Sequence, residues 1–245
     1  MKVLGVIPAR MNSKRFPKKV IYPLHGKPLL YYLHTELKKS KVIDRLVIAT
    51  DDLEIKKIAE GFGAEVILTS KKHRTGSDRT AEVHRKLGGD IIINLQADNF
   101  GLKARSIDLM LNRFIESKKL QFATCATKFS SNEDLNNTNN VKAILDKDSN
   151  AIYFSRYPIP FLRDVSEKNR IKQFTFFYHI GIYIYSAAGL KKFASWKPSK
   201  LEQAESLEQL RIIEHGEKIR IFETKMKPIS VDSIDELKKI EKLYT

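Results

Sequence analysis

The 245-residue chain holds a single cysteine, Cys125. That excludes an internal disulfide framework and any multi-cysteine metal site. No apolar run approaches the roughly 20 residues of a membrane-spanning helix. The start, MKVLGVIPAR, has too short an apolar stretch for a secretory signal and no small-residue cleavage pattern. The expectation is a cytoplasmic protein without membrane insertion. No G-x-x-x-x-G-K-[ST] loop occurs either, so phosphate would have to be met by side chains rather than by a glycine-rich nest. Acid is scarce beside base: 29 Asp and Glu against 44 Lys and Arg, a net charge of +15. Much of the excess lies in runs such as ELKKSK, EIKKI and DELKKIEK, where both signs mix as they do on solvated helix faces. No aromatic-basic platform or compact recognition helix accompanies it, so nucleic acid is not the expected partner.

What is present is an alternating rhythm. Strand candidates VLGVIPA, RLVIATD, AEVILTS, DIIINLQAD and QFATCATKF alternate with helix candidates. The helices are PLLYYLHTELKKSK, DLEIKKIAEGFG, DRTAEVHRKLGG and ARSIDLMLNRFIESK. Such alternation implies an α/β fold, a mostly parallel sheet with helices on both faces. The rhythm changes near Ser130. VKAILDKDSNAIYFSR reads as a hairpin and FYHIGIYIYS as a strand. Two helices, AAGLKKFASW and LEQAESLEQLRIIEHG, a strand, IRIFETK, and a helix, SIDELKKIEKLY, follow. We read a single domain over residues 1–245. Residues 1–130 form an αβ half, 131–190 an inserted hairpin region suited to a lid or a dimer surface, and 191–245 a return to the core.

In open α/β sheets, ligands sit beyond the C-terminal ends of the strands. VIPARMNSKRFPKK leaves the first strand at that end with Arg10, Lys14, Arg15, Lys18 and Lys19, between Pro8 and Pro17. Fixed proline dihedrals favour an extended, partly rigid loop. Its cations suit a polyphosphate, though a basic surface loop would read the same. Gln96 and Asp98 project past the buried strand in INLQADN, where a carboxylate needs a partner. Magnesium is one, usually held by one or two carboxylates together with phosphates and water. Asp232 in ISVDSIDEL is a second candidate ligand, though taken alone it reads first as a helix N-cap. Asp98 and Asp232 facing a basic loop would suit a metal-assisted nucleotidyl transfer.

These residues resemble the CMP-Kdo synthetases, cytidylyltransferases that activate the eight-carbon sugar acid Kdo (3-deoxy-manno-octulosonate) for lipopolysaccharide. The pattern I-P-A-R-x-x-S-x-R-x-P-x-K is matched from Ile7 to Lys19, followed by GKPL, ATD and TGSDR. YFSR, PIP, HIGIY, a stretch containing ESLEQLR, and VDSIDEL come later in the same order. The resemblance spans nearly the whole chain and implies a Rossmann-like nucleotidyltransferase fold. It also implies that Arg10 and Lys19 bind the CTP triphosphate, with Pro8, Ala9, Ser13 and Arg15 shaping their loop and Gly76 and Ser77 meeting the nucleotide. Asp98 and Asp232 would hold Mg²⁺. Arg79, Gln96, Arg156, His179, Tyr183, Glu208 and Gln209 would line the sugar-acid side. A homodimer is implied by the same likeness, with YFSRYPIPFL as its contact.

The chain departs from the pattern at QADNF, where Q-G-D-E-P is usual, and at Lys18, where glycine is usual. Ala97, Asn99 and Phe100 leave the nucleotide chemistry intact and direct attention to the sugar pocket. An acceptor such as the 8-amino sugar is therefore weighed beside Kdo itself. Further alternatives are a sialic-acid type of cytidylyltransferase, a catalytically dead relative and a charge-driven nucleic-acid-binding protein.

Overall fold

The structure is a computed structural model and describes residues 1–11, 16–231 and 234–241. β1 (Val3–Pro8) is apolar and buried along nearly its whole length. A hairpin of β2 (Pro23–Leu24) and β3 (Lys27–Pro28) turns at His25 and Gly26, both at positive φ. It delivers Pro28 as the N-cap of α1 (Leu29–Leu37), which buries Leu29, Leu30, Leu33 and Leu37. After β4 (Arg45–Thr50), Asp52 caps α2 (Leu53–Gly61) by accepting from the N–H groups of Glu54 and Ile55. β5 (Glu65–Leu68), α3 (Gly76–Leu87), β6 (Ile91–Leu95), β7 (Asn99–Phe100), α4 (Ala104–Glu116) and β8 (Phe122–Lys128) complete the first half.

The second half begins with α5 (Asn132–Asn136). β9 (Lys142–Leu145) and β10 (Ala151–Ser155) form the expected antiparallel hairpin. Asp146 closes its turn by accepting from the N–H groups of Asp148 and Asn150. Then come α6 (Arg170–Gln173), β11 (Phe177–Ser186), α7 (Ala187–Ser195), α8 (Lys200–Glu205), α9 (Leu210–Glu214), β12 (Arg220–Glu223), β13 (Ile229–Ser230) and α10 (Ile234–Glu241). The stretch LEQAESLEQLRIIEHG is thus two helices rather than one. Ser206 adopts a left-handed conformation at φ 54° and breaks it. The break lets Leu207 reach the core, while Arg211 turns back onto the Glu202 carboxylate, overriding local helix propensity.

One sheet runs through the molecule in the order β10-β9-β11-β6-β1-β4-β5, with β8 on β11 and β12 on β8. β6, β1, β4 and β5 are parallel neighbours. β11 runs antiparallel to β6 and β8, with a register shift between Ile180 and Tyr183. It starts beside β9 and ends beside β6, so one strand joins the inserted hairpin to the central sheet. Alternation along β1 feeds two cores: Val3 and Ile7 pack with α1, α2 and α4, and Leu4 and Val6 pack with α3 and α7. Among the described residues no helix is long and apolar enough to cross a membrane.

Candidate active site

The C-terminal ends of β1 and β6 and the start of α3 enclose a cleft of about 270 Å³. Pro8, Ala9, Arg10 and Lys19 form one wall, and His73, Arg74, Thr75, Gly76 and Arg79 the other. Gln96, Ala97 and Asp98 are its floor, closed by Ser206 and Glu208. The loop after β1 turns back on itself, with the Lys18 N–H donating to the Met11 carbonyl at 3.1 Å. Lys19 begins a single 3₁₀ turn, which buries its stem and aims its ammonium at the floor. Its Nζ donates to Asp98 Oδ2 at 2.8 Å and to the Val231 carbonyl at 3.1 Å. The Val231 N–H donates to the Asp98 carbonyl at 3.3 Å, so the chain returning from β13 is tied to the same point.

The far wall is held by paired charges. Arg79 meets the Asp51 carboxylate at 2.8 Å and also donates to the Thr69 hydroxyl. His73 is bound through Nε2 to Glu82. Burial opposes ionisation of Glu82, but Lys86, the Ser70 N–H and His73 outweigh it and bring its pKa down to about 2. Glu208 accepts from the Ser77 N–H at 3.2 Å and the Ser77 hydroxyl at 2.9 Å, at the first turn of α3. Burial raises its carboxyl above the ordinary range, against hydrogen bonds from Thr75 and Ser77 that lower it.

A second cleft, of about 520 Å³, lies beyond the floor and shares Gln96, Asp98 and Ser206 with the first. Its back wall is a directional chain of neutral hydrogen bonds. Tyr183 Oη donates to Gln209 Oε1 at 2.9 Å, and Gln209 Nε2 donates to His179 Nδ1 at 3.4 Å. His179 Nε2 lies 2.9 Å from Thr124 Oγ1, and the Thr124 hydroxyl donates to the Ile182 carbonyl at 2.7 Å. Each link fixes the next, which assigns His179 the neutral Nε2–H tautomer. Burial pushes its pKa down to about 3 and keeps it neutral.

The sequence-predicted residues divide between these clefts. Pro8, Ala9, Arg10, Lys19, Gly76 and Asp98 line the first. Ser77 does not: it is fully buried, bound to Tyr185, Asn94 and Glu208, and supports the wall from behind. Arg79 and Glu208, expected on the sugar side, line the first cleft. Arg79 is drawn there by Asp51, and Glu208 by the electropositive start of α3. Arg156, His179, Tyr183 and Gln209 line the second cleft, and Gln96 borders both. Arg156 is spent on architecture as well, donating through Nε to the Glu205 carbonyl at 2.8 Å while its N–H meets the Glu205 carboxylate at 2.9 Å. Ser13, Arg15 and Asp232 lie outside the described residues.

His73, Arg74, Ser206 and Thr124 were missed by the sequence reading, and Thr75 was quoted within TGSDR without a role. His73 and Arg74 stand directly before that motif and needed only a wider window. Thr124 carries no local signal, because β8 and β11 meet only in the sheet. Asn99 was noted only as a departure from the pattern, and it lines the second cleft.

Sequence comparison places residues 4–219 in the family described as Cytidylyltransferase. The chain is 42% identical over 243 residues to the 3-deoxy-manno-octulosonate cytidylyltransferase of Francisella tularensis subsp. holarctica (strain FTNF002-00 / FTA), covering 98% of this chain and 97% of that protein. It is 36% identical over 249 residues to the protein of that name from Pelobacter propionicus, covering 100% and 98%. Among solved structures it superposes with a TM-score of 0.90 and 32% identity on a CMP:2-keto-3-deoxy-manno-octonic acid synthetase complexed with CTP, over 100% of this chain and 98% of that one. Full-length coverage at these identities, on the same fold, establishes that the chain belongs to the 3-deoxy-manno-octulosonate cytidylyltransferases within the cytidylyltransferase family.

Proposed function

We propose that this protein transfers CMP from CTP to 3-deoxy-manno-octulosonate, releasing pyrophosphate, as a cytoplasmic step of lipopolysaccharide synthesis. The observation that carries the reading is the shared floor. A cleft walled by Arg10, Lys19, Arg74 and Arg79 adjoins one backed by the hydrogen-bonded Tyr183, Gln209 and His179 and lined also by Lys128, Arg156 and Lys227, and the two meet at Gln96 and Asp98. Cations on one side suit a triphosphate, and tyrosine, glutamine and histidine on the other suit a polyhydroxylated acid. The reacting centres would then meet above Asp98. The sugar's anomeric hydroxyl attacks the α-phosphorus in line and pyrophosphate leaves toward Arg10 and Lys19. Holding both substrates in register supplies much of the rate, and fixed cations stabilise the leaving charge without reorganisation.

Magnesium is the ion we infer for the junction, from the oxygen donor of Asp98 beside a triphosphate. Among the described residues no cluster of three or more His, Cys, Asp or Glu is placed for a metal. A nucleotide-bound magnesium does not need one, since phosphates and water complete its shell. Asp98, beside Lys19 at the junction of the clefts, with Asp232 would hold the ion. When bound, it would supply charge neutralisation at the phosphates. The segment after β10 exposes Tyr157 at 74% and Phe161 at 82%, which supports this surface as the homodimer contact.

Pyrophosphate release tests the reading, with CTP against ATP, GTP and UTP across a panel of sugar acids including Kdo, 8-amino-Kdo and sialic acid. CTP and Kdo should stand out. Release with no sugar acid in the panel would reject the proposal, and a strong preference for the amino sugar would move it to that acceptor.

A further inference from the structure

Asn99 sits in the shortest of strands, yet its backbone is pinned on both sides. Its N–H donates to the Gln96 carbonyl at 3.1 Å, and β7 pairs Asn99 with Ser230 of β13. Strand alternation sends the next residue, Phe100, into the core, where it is 1% exposed. Asn99 lies on the opposite side of the strand and lines the second cleft. It is 6% exposed, and its Nδ2 is buried with no hydrogen-bond partner. A buried amide donor without a partner is unfavourable and calls for a ligand. Gly181, in the shifted part of β11, leaves room for one: a Cβ there would stand 3.8 Å from Asn99 Nδ2 and 3.5 Å from Gln96 Cγ. The neighbouring polar groups of the back wall are already engaged in the chain from Tyr183 to Thr124.

We propose that Asn99 is a specificity-determining residue of the second cleft, its carboxamide donating to an uncharged hydroxyl oxygen of the acceptor. A hydroxyl fits better than the acceptor's carboxylate, because the donor is neutral and Asp98 is its chain neighbour. The glutamate of the Q-G-D-E-P pattern would offer acceptors only. This chain therefore reads an oxygen where an acid would receive a donor or hold a cation. The inference rests on the cytidylyl-transfer reading above.

The test is steady-state pyrophosphate release by the wild type, Asn99→Asp and Asn99→Ala. Acceptors are Kdo and a set of analogues each lacking one hydroxyl. Asn99→Asp preserves shape and removes the donor, so KM for Kdo should rise on the order of tenfold or more while KM for CTP stays within about twofold. One deoxy analogue should be discriminated against by the wild type by about tenfold or more and by Asn99→Ala hardly at all. A purely structural role would lower thermal stability or shift both KM values, and would not erase discrimination at one hydroxyl. Unchanged discrimination for every analogue overturns the inference alone. A wild type that releases no pyrophosphate with any sugar acid overturns the transfer reading and this inference with it. CTP binding by calorimetry confirms folding, and should one variant fail to fold, the other carries the test.

Discussion

The two clefts share a floor and are built by opposite means. In the first, charge is held by charge: Lys19 on Asp98, Arg79 on Asp51, His73 on Glu82. In the second, Tyr183, Gln209, His179 and Thr124 pass hydrogen bonds one way along a neutral chain. Paired charges hold long side chains in place while leaving a field for a polyanion. The neutral chain instead orients donors and acceptors at the back wall, and leaves ionic contacts to Lys128, Arg156 and Lys227 elsewhere in the same cleft. The lesson is that a fold can set an ion-paired wall beside a neutral hydrogen-bonded one, provided the groups between them serve both. Gln96 and Asp98 do so here.

Removing the shared carboxylate breaks the comparison most severely. Asp98→Asn keeps the shape, leaves the Lys19 ammonium without its carboxylate, and withdraws the expected metal ligand. kcat for pyrophosphate release should fall on the order of 10²–10³-fold, while the far-UV circular dichroism spectrum stays unchanged. A loss below about tenfold would show that the floor is not where the chemistry occurs.

The neutrality of the second cleft's back wall is tested by acid. Folded His179 stays neutral down to about 3, whereas its ordinary value is 6.5. Between those values the unfolded chain binds more protons than the folded one, so stability is present above pH 6.5 and falls as pH drops through the window. Between pH 7 and pH 5 this group should cost roughly 1–2 kcal/mol. Urea unfolding at the two pH values measures it, and His179→Gln should flatten that slope. A slope equal to that of the wild type would mean that the ring is not held neutral.

The smallest expected effect lies in the charged cleft's loop. Lys18 adopts φ 61°, a left-handed conformation that glycine accepts freely. Among the described residues its ammonium reaches Glu54, at 3.5 Å, in an exposed pair of little worth. Lys18→Gly should therefore stabilise the protein by up to about 1 kcal/mol, read as a small rise in Tm. KM for CTP should move little, because Lys18 does not line the cleft. A loss of stability would mean that the tail packs more usefully than its exposure suggests.

Much of this was legible beforehand. β1, β4, β5, β6 and β8 and the helices α1 to α4 follow from apolar runs alternating with helical periodicity, whereas the two-residue strands β2, β3 and β7 carry no such run. The pattern around Arg10, Lys19 and Asp98 pointed to the right end of the sheet, because open α/β sheets place ligands there. The failures share one cause. Ser206 breaks a sequence that reads as a single helix because Arg211 and Leu207 find partners outside it. The places of Arg79 and Glu208 were not legible locally either, because they depend on Asp51 and Ser77, which lie far from them in the chain.

By itself, the sequence determined the alternation of elements, the cationic loop after β1 and the likeness that names the chemistry, because these are local in the chain. Only the tertiary structure decided which residues share a cleft, that β11 runs against its neighbours, and that Asn99 keeps a buried donor unpaired. Those facts depend on atoms from β7, β11 and the segment before α9 meeting in space. No periodicity within any one of these segments encodes that meeting.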